Sequence, residues 1–344
     1  MNETCDDSSL KDYQHKVYAV VYSVILAPGL IFNILALWVF KIYIKETKKA
    51  VLFMMNLALS DLLQVLSLPL RIYYYLNRTW PFGHFLCMAC FYVKYVNMYA
   101  SIFFLTCISV RRCQLIKCPL IYNSSKKKGD LLVCGLGWLV ISLFCLAFPL
   151  LRYPSSDSGS NQSMSCFSEL PMKNISAPTV GVLLVLAELG GFIIPLIVVL
   201  VCACYTAGSL RETTAEAIRD KGEKKRALRM VLSCTIVFLV CFAPYHVTLP
   251  LDFLAKSNSL GNCSVMNFIK RCHTLTLCLA SLNCSLDPLM YYFTTYEFWR
   301  RLRTTNVSES NTLHRQTSCI SGGDFESINV DLLLSPMQTV TPSP

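Results

Sequence analysis

The 344-residue sequence predicts an all-α membrane protein, a seven-transmembrane helix bundle followed by a short amphipathic eighth helix. Three observations lead there. Apolar and aromatic residues make up 54% of the chain. Charged residues make up only 15%, against about 25% in soluble domains. The apolar residues also come in long blocks bounded by charge. Val17 to Phe40 carries no charge over 24 positions, more than the roughly 20 needed to cross a bilayer as a helix. Further blocks follow at 50–76, 85–110, 131–151, 178–210, 228–254 and 268–293, with the first running 17–44. Backbone groups find no water in lipid, so each block must be a helix. These numbers exclude a disordered chain and a small disulfide-stapled secreted domain. The expected organisation is a polar N-terminus at 1–16, the bundle at 17–293, an amphipathic helix at 294–303 and a disordered Ser/Thr-rich tail at 304–344.

Lysine and arginine placement orients the bundle, because basic residues near span ends stay cytoplasmic. The 1/2, 3/4 and 5/6 connections and the tail hold 21 of the 31 basic residues. The chain is therefore expected at the plasma membrane as a multi-pass protein with its N-terminus outside. No removable signal peptide is visible. Acceptor sequons at Asn2, Asn77, Asn161, Asn174 and Asn262 all fall on the expected outer side. Most of the 18 cysteines lie inside helices, where a thiol behaves as a small hydrophobe. Five face the oxidising side. Bridging Cys87 to Cys166 would pin the 4/5 loop across the mouth, and Cys5 to Cys263 would tie the N-terminus to the 6/7 loop. Cys272 is left over.

Polar residues deep in lipid are costly and so mark function. Asp61 and Asp287 both fall near mid-bilayer, where two like charges cannot both ionise without a cation or a shared proton. Pro195, Pro244 and Pro288 each delete a helix hydrogen bond and permit a bend. Metal-ligand pairs, nucleophile elbows and phosphate-cradling loops are missing, so no enzyme is expected.

Charge on the outer halves of the helices points to a ligand. Arg71 lies ten residues beyond Asp61, about 15 Å outward, and Lys94 about 27 Å outward of Arg112. Arg152 ends helix 4 and Lys256 follows helix 6. Four cations around one mouth suit an anionic headgroup, with Arg fitted to bidentate phosphate contacts. Glu188 and Asp252 add negative charge that an amine would want, and serine-phosphate carries phosphate, carboxylate and amine together. Tyr95, Tyr99 and other aromatics could receive an acyl chain. His246 completes the expected ligand set. A polyanionic nucleotide is the runner-up, and a membrane transporter the opposing class.

The motifs resemble those of the rhodopsin-like G-protein-coupled receptors over about residues 15–303. They are Asn33, Asn56 to Asp61 (NLALSD), Cys87, Arg112, Trp138, Pro195, Cys241 to Pro244 (CFAP) and Asp287 to Tyr291 (DPLMY). Within that family, Trp80 to Gly83 (WPFG) and Tyr99 to Ser109 (YASIFFLTCIS) resemble the purinoceptor-like lysophospholipid branch. Leu66 to Tyr75 (LSLPLRIYYY) and Lys94 to Ser101 (KYVNMYAS) look like the lysophosphatidylserine receptors. The resemblance implies a lysophospholipid ligand and a heterotrimeric G protein of the twelve/thirteen or stimulatory class. Arrestin would act on the tail, and membrane lipids, not nucleic acid, would meet the basic face. It implies coupling through Arg111, Arg112 and Tyr291, and a switch at Phe242 and Pro244, with Phe242 where Trp is usual. It also implies a sodium ion at Asp61, Ser101, Asn283 and Asp287, and no other cofactor. Val110 to Cys113 (VRRC) departs from the family, since the acid expected before Arg112 is Arg111. That departure predicts a less firmly locked resting state, with Arg111 otherwise meeting lipid phosphate.

Overall fold

A computed structural model describes residues 8–43, 50–118, 127–150, 166–167, 177–209, 221–256, 262–288 and 290. Within them the chain is helical, with no strand. Helix α1 spans Ser8–Tyr43 and α2 spans Ala50–Asn77. Helix α3 spans Gly83–Lys117 and α4 spans Lys127–Cys145, with a last turn at Ala147–Leu150. Helix α5 has three parts, Ala177–Glu188, a π-helical turn Leu189–Ile193, and Ile194–Gly208. Helix α6 repeats that pattern with Lys221–Val237, a π turn Phe238–Phe242 and Ala243–Lys256. Helix α7 runs 263–288.

Helices α1 to α6 are long and apolar enough to cross a membrane. The seventh is more polar along its length, and the reason is its position. It presents His273, Thr274, Thr276, Ser281, Asn283 and Asp287 to the interior, all buried. Helix α3 is the central post, contacting α2, α4, α5 and α6. The two π turns sit just ahead of Pro195 and Pro244. A proline lacks the N–H for the ladder and crowds the carbonyl four residues back, so an extra residue in the preceding turn relieves the fault. The helices begin and end beyond the apolar blocks. Helix α1 starts at Ser8, ahead of Val17, and α6 at Lys221, ahead of 228.

Polar side chains tie the helices together. Asn33 Nδ2 on α1 donates to the Gly29 carbonyl at 2.8 Å and to the Cys284 carbonyl of α7 at 2.7 Å. Trp138 Nε1 on α4 donates to Asn56 Oδ1 on α2 at 2.8 Å. On α4, Gly137 lets the helix close on α3, since a Cβ there would lie 2.3 Å from the Phe103 ring. The expected helix at 294–303 and tail at 304–344 lie outside the described residues.

Candidate functional site

The disulfide between Cys87 and Cys166, with Cα atoms 5.9 Å apart, fixes one end of the bundle. It brings Phe167 down between α2 and the start of α3. Phe167 is a non-glycine residue at φ 61°, a conformation that survives only where the surroundings over-determine it. The surroundings are four aromatic or cationic neighbours. Its ring stacks on Tyr75 at 5.8 Å and meets Tyr74 and Trp80 edge-on at 5.3 and 5.4 Å. The Arg71 guanidinium lies over the ring at 4.7 Å. The Cys166 amide also donates to Tyr74 Oη at 3.2 Å.

Arg71 is therefore not at a rim. It is 1% exposed, because Phe167 closes over it and α3 passes beside it. Its Nε donates to Ser67 Oγ at 3.3 Å, and its Nη2 donates to the Cys90 carbonyl. Ser67 can accept because its own proton goes to the Gln64 carbonyl at 2.7 Å. Among the described residues no carboxylate pairs with Arg71. Lys94 lies 5.8 Å from the Tyr18 and Tyr95 ring centroids. Arg152 lies outside the described residues, as does the Lys256 side chain, so of the expected ring of four cations the structure places Arg71 and Lys94. Tyr18, Tyr22 and Tyr75 form a further aromatic wall.

A cleft of about 150 Å³ lies alongside, between α3, α4, α5, α6 and α7. Phe144 and Phe148 of α4 and Val180, Leu183 and Leu184 of α5 make its apolar walls. Tyr95 lines it and stacks on Phe148 at 4.2 Å, 9° between planes. Helix α4 and the first part of α5 both contribute to its lining. The opposite wall sets Asp252 and His273 beside Leu249 and Phe253. Thr248 Oγ1 meets His273 Nδ1 at 3.0 Å and Thr276 Oγ1 at 2.8 Å, and Asp252 Oδ2 lies 3.9 Å from His273 Nε2.

Glu188 and His246, both expected to face a ligand, face one another across the start of the α5 π turn, at 3.2 Å. His246 stacks on Phe192 at 4.3 Å, and Tyr99 meets it edge-on at 6.0 Å. The π turn also brings Gly191 against Tyr99, where a Cβ would lie 2.6 Å from the ring. Below, Phe242 is fully buried and edge-on to Phe238 at 5.8 Å, directly ahead of Pro244.

Asp61 is the hub of the mid-bundle network. Its Oδ1 accepts from Asn97 Nδ2 at 2.9 Å and from Ser101 Oγ at 3.5 Å, while Asn283 Nδ2 donates to Ser101 Oγ at 2.9 Å. Asp61 Oδ2 and both Asp287 carboxylate oxygens are buried and receive no donor from another described residue, and the two carboxyls lie against each other.

At the opposite end, Arg111 departs from the expectation that it meets lipid phosphate. It donates to Asp130 on the first turn of α4 and to Gln114 Oε1 at 2.8 Å. Asp130 is 1% exposed, so a carboxylate is present after all, delivered by α4. Arg112 turns instead to α6, with its Nε 3.0 Å from Met230 Sδ. Tyr291 lies outside the described residues.

Asn77 and Asn262 are exposed at the disulfide end, while Asn2, Asn161 and Asn174 lie outside the described residues. Cys263 is disulfide-bonded, and Cys5, the partner expected for it, is also outside them. Cys272 is free. Sequence reasoning missed Asp130, Asn97, Phe167 and Met230. Asp130 had a signal in hindsight, as an isolated acid directly after three lysines and a glycine.

Residues 32–291 match the family model described as 7 transmembrane receptor (rhodopsin family). A human protein (Homo sapiens) named "Probable G-protein coupled receptor 174" is 53% identical over 318 residues, covering 92% of this chain and 95% of the relative. A mouse protein (Mus musculus) named as a putative purinoceptor is 42% identical over 307 residues, covering 89% and 92%. Human "Lysophosphatidic acid receptor 6" is 33% identical over 325 residues, covering 94% and 93%. The chain belongs to the rhodopsin family of seven-transmembrane G-protein-coupled receptors, in its purinoceptor-like lysophospholipid branch: a multi-pass plasma-membrane receptor with a small-molecule or lipid ligand and a G-protein partner, not an enzyme.

Proposed function

We propose that this receptor responds to an anionic lysophospholipid, lysophosphatidylserine, with its disulfide end and N-terminus extracellular and the Arg112 end in the cytosol. One observation carries the reading. Arg71 is a fully buried guanidinium whose described partners, Ser67, Cys90 and Phe167, are all neutral. A buried cation is costly without an anion, and a phosphate oxygen pair would satisfy its planar fork. Supporting it, the cleft beside Tyr95 has apolar walls from α4 and α5 that suit an acyl chain. Asp252 on its opposite wall suits an ammonium group.

The test is a panel of lysophosphatidylserine, lysophosphatidic acid and a nucleoside diphosphate on cells expressing the chain, read through Rho-type and cyclic-nucleotide output. The parent is expected to respond to lysophosphatidylserine, and Arg71→Ala, Lys94→Ala and Lys256→Ala to respond less. An undiminished response by Arg71→Ala at equal surface expression sinks the headgroup site, and a response to the nucleotide alone moves the reading to the purinergic class. Cells lacking twelve/thirteen or stimulatory G proteins then identify the coupling class, and recruitment to the Ser/Thr-rich tail tests arrestin.

The same reading places a sodium ion among Asp61, Ser101, Asn283 and Asp287. The facing carboxyls of Asp61 and Asp287, which receive too few donors for their oxygens, fit a small hard cation between them. Replacing potassium by sodium at constant ionic strength is expected to lower agonist affinity in the parent and leave Asp61→Asn unchanged. A parent insensitive to sodium would leave the two carboxyls sharing a proton instead.

A further inference from the structure

Beside Arg112 the structure brings together two thiols that ligand binding does not use. Cys113 follows Arg112 on α3, and Cys202 lies on the last segment of α5. Both are free, and Cys113 packs against the buried cluster that contains Cys202. They are packed with Ala203 and Val231, and with Val110 and Val198. An isolated thiol in a membrane helix is an ordinary small hydrophobe. Two on facing helices in one packed cluster are candidates for a disulfide, which forms where Cα atoms come within about 4.4–6.8 Å.

We propose that Cys113 and Cys202 form a reversible disulfide under peroxide, stapling α3 to α5 at the signalling end. Cys113 is the more exposed of the two, whereas Cys202 is 7% exposed, so Cys113 meets the oxidant first. Its sulfur attacks one oxygen of hydrogen peroxide, the O–O bond breaks, and a sulfenic acid and one water result. The Cys202 sulfur then attacks the Cys113 sulfur. The S–S bond forms as the S–O bond breaks, and the Cys202 proton leaves with the hydroxyl as a second water. Two thiols are oxidised by two electrons and one peroxide is reduced to two waters. A dithiol reverses the step by exchange.

The staple has a consequence for coupling because the same junction holds α6. Val231 packs in the cluster, and Met230 beside it receives Arg112. Fixing α3 to α5 there holds the packing against which α6 must move, so the oxidised receptor couples less.

The experiment treats membranes carrying the full-length receptor with hydrogen peroxide, blocks remaining thiols with N-ethylmaleimide, and maps peptides by mass. Expected is a linked pair containing Cys113 and Cys202, lighter by two hydrogens than the separate peptides, lost with dithiothreitol and absent from Cys113→Ser and Cys202→Ser. Ligand-free stimulation of G-protein nucleotide exchange should fall in the parent, recover with dithiothreitol, and stay constant in both serine variants. If both cysteines remain fully alkylated at a peroxide dose that oxidises the exposed Cys118, or each accumulates singly as sulfinic acid, the disulfide is refuted. If the link forms and nucleotide exchange is unchanged, its effect on coupling is refuted. None of these readouts needs the ligand, so the outcome is independent of the lysophospholipid reading.

Discussion

Arg71 and Arg111 are both withdrawn from solvent, yet the bundle treats them in opposite ways. Arg111, 16% exposed as a side chain, is met by a carboxylate that is itself 1% exposed. Arg71 is given a hydroxyl, a carbonyl and a ring face. The first arrangement is closed: the charges compensate each other and bind α3 to α4. The second is open, because neutral acceptors solvate a guanidinium without neutralising it. The two arginines are thus told apart by what completes them, not by burial.

The largest effect should come from opening the closed pair. Asp130→Ala leaves Arg111 without its carboxylate, and removing one partner of a buried pair costs about 3–5 kcal/mol. The lower end is expected, since Arg111 keeps some access to solvent. The measurement is thermal unfolding of the purified receptor in detergent. The double exchange Arg111→Asp with Asp130→Arg should recover most of the loss. If Asp130→Ala unfolds like the parent, the pair is not holding α3 to α4.

Arg71 should behave the other way. Arg71→Met keeps the volume, removes an uncompensated charge, and is expected to leave stability unchanged or raised. Its response to lysophosphatidylserine should fall by about 30-fold or more, in line with the roughly 2–5 kcal/mol carried by a buried charged contact to a binding partner. Thermal unfolding and dose–response on one preparation separate the two effects. A destabilised Arg71→Met with normal potency would make Arg71 a structural residue like Arg111.

Most of the bundle was legible in the sequence because an uncharged block of twenty or more residues has no other stable form in lipid. Helix ends were not. The turns of α1 from Ser8 and of α6 from Lys221 are polar and carry no hydropathy signal. Prolines 195 and 244 announced a fault in α5 and α6, but not that π turns at Leu189–Ile193 and Phe238–Phe242 would absorb it. The charges of Arg71 and Arg111 were equally visible. Their difference was not, because it is set by groups distant in the chain. Phe167 reaches Arg71 only through the Cys87 tether, and Asp130 reaches Arg111 only because α4 returns beside α3. The pairing of Glu188 with His246 was hidden for the same reason, since 58 positions of chain separate them.

The exposed end of the bundle supplies the smallest effect and the control for the other two. Arg78 donates to Asp12, and Lys16 Nζ lies 2.7 Å from the same carboxylate. By contact geometry this trio rivals the Arg111 pair. Its side chains, however, are 60%, 38% and 74% exposed for Arg78, Asp12 and Lys16, so water already solvates each charge and the pairing adds little to stability. Asp12→Ala should therefore shift thermal unfolding far less than Asp130→Ala, and salt should erase what shift there is, since exposed pairs are screened over about 8–10 Å at physiological ionic strength. The comparison is a salt titration of both variants against the parent. If Asp12→Ala proves as damaging as Asp130→Ala, proximity alone would account for the Arg111 pair, and burial could no longer be the property that separates the arginines of this receptor.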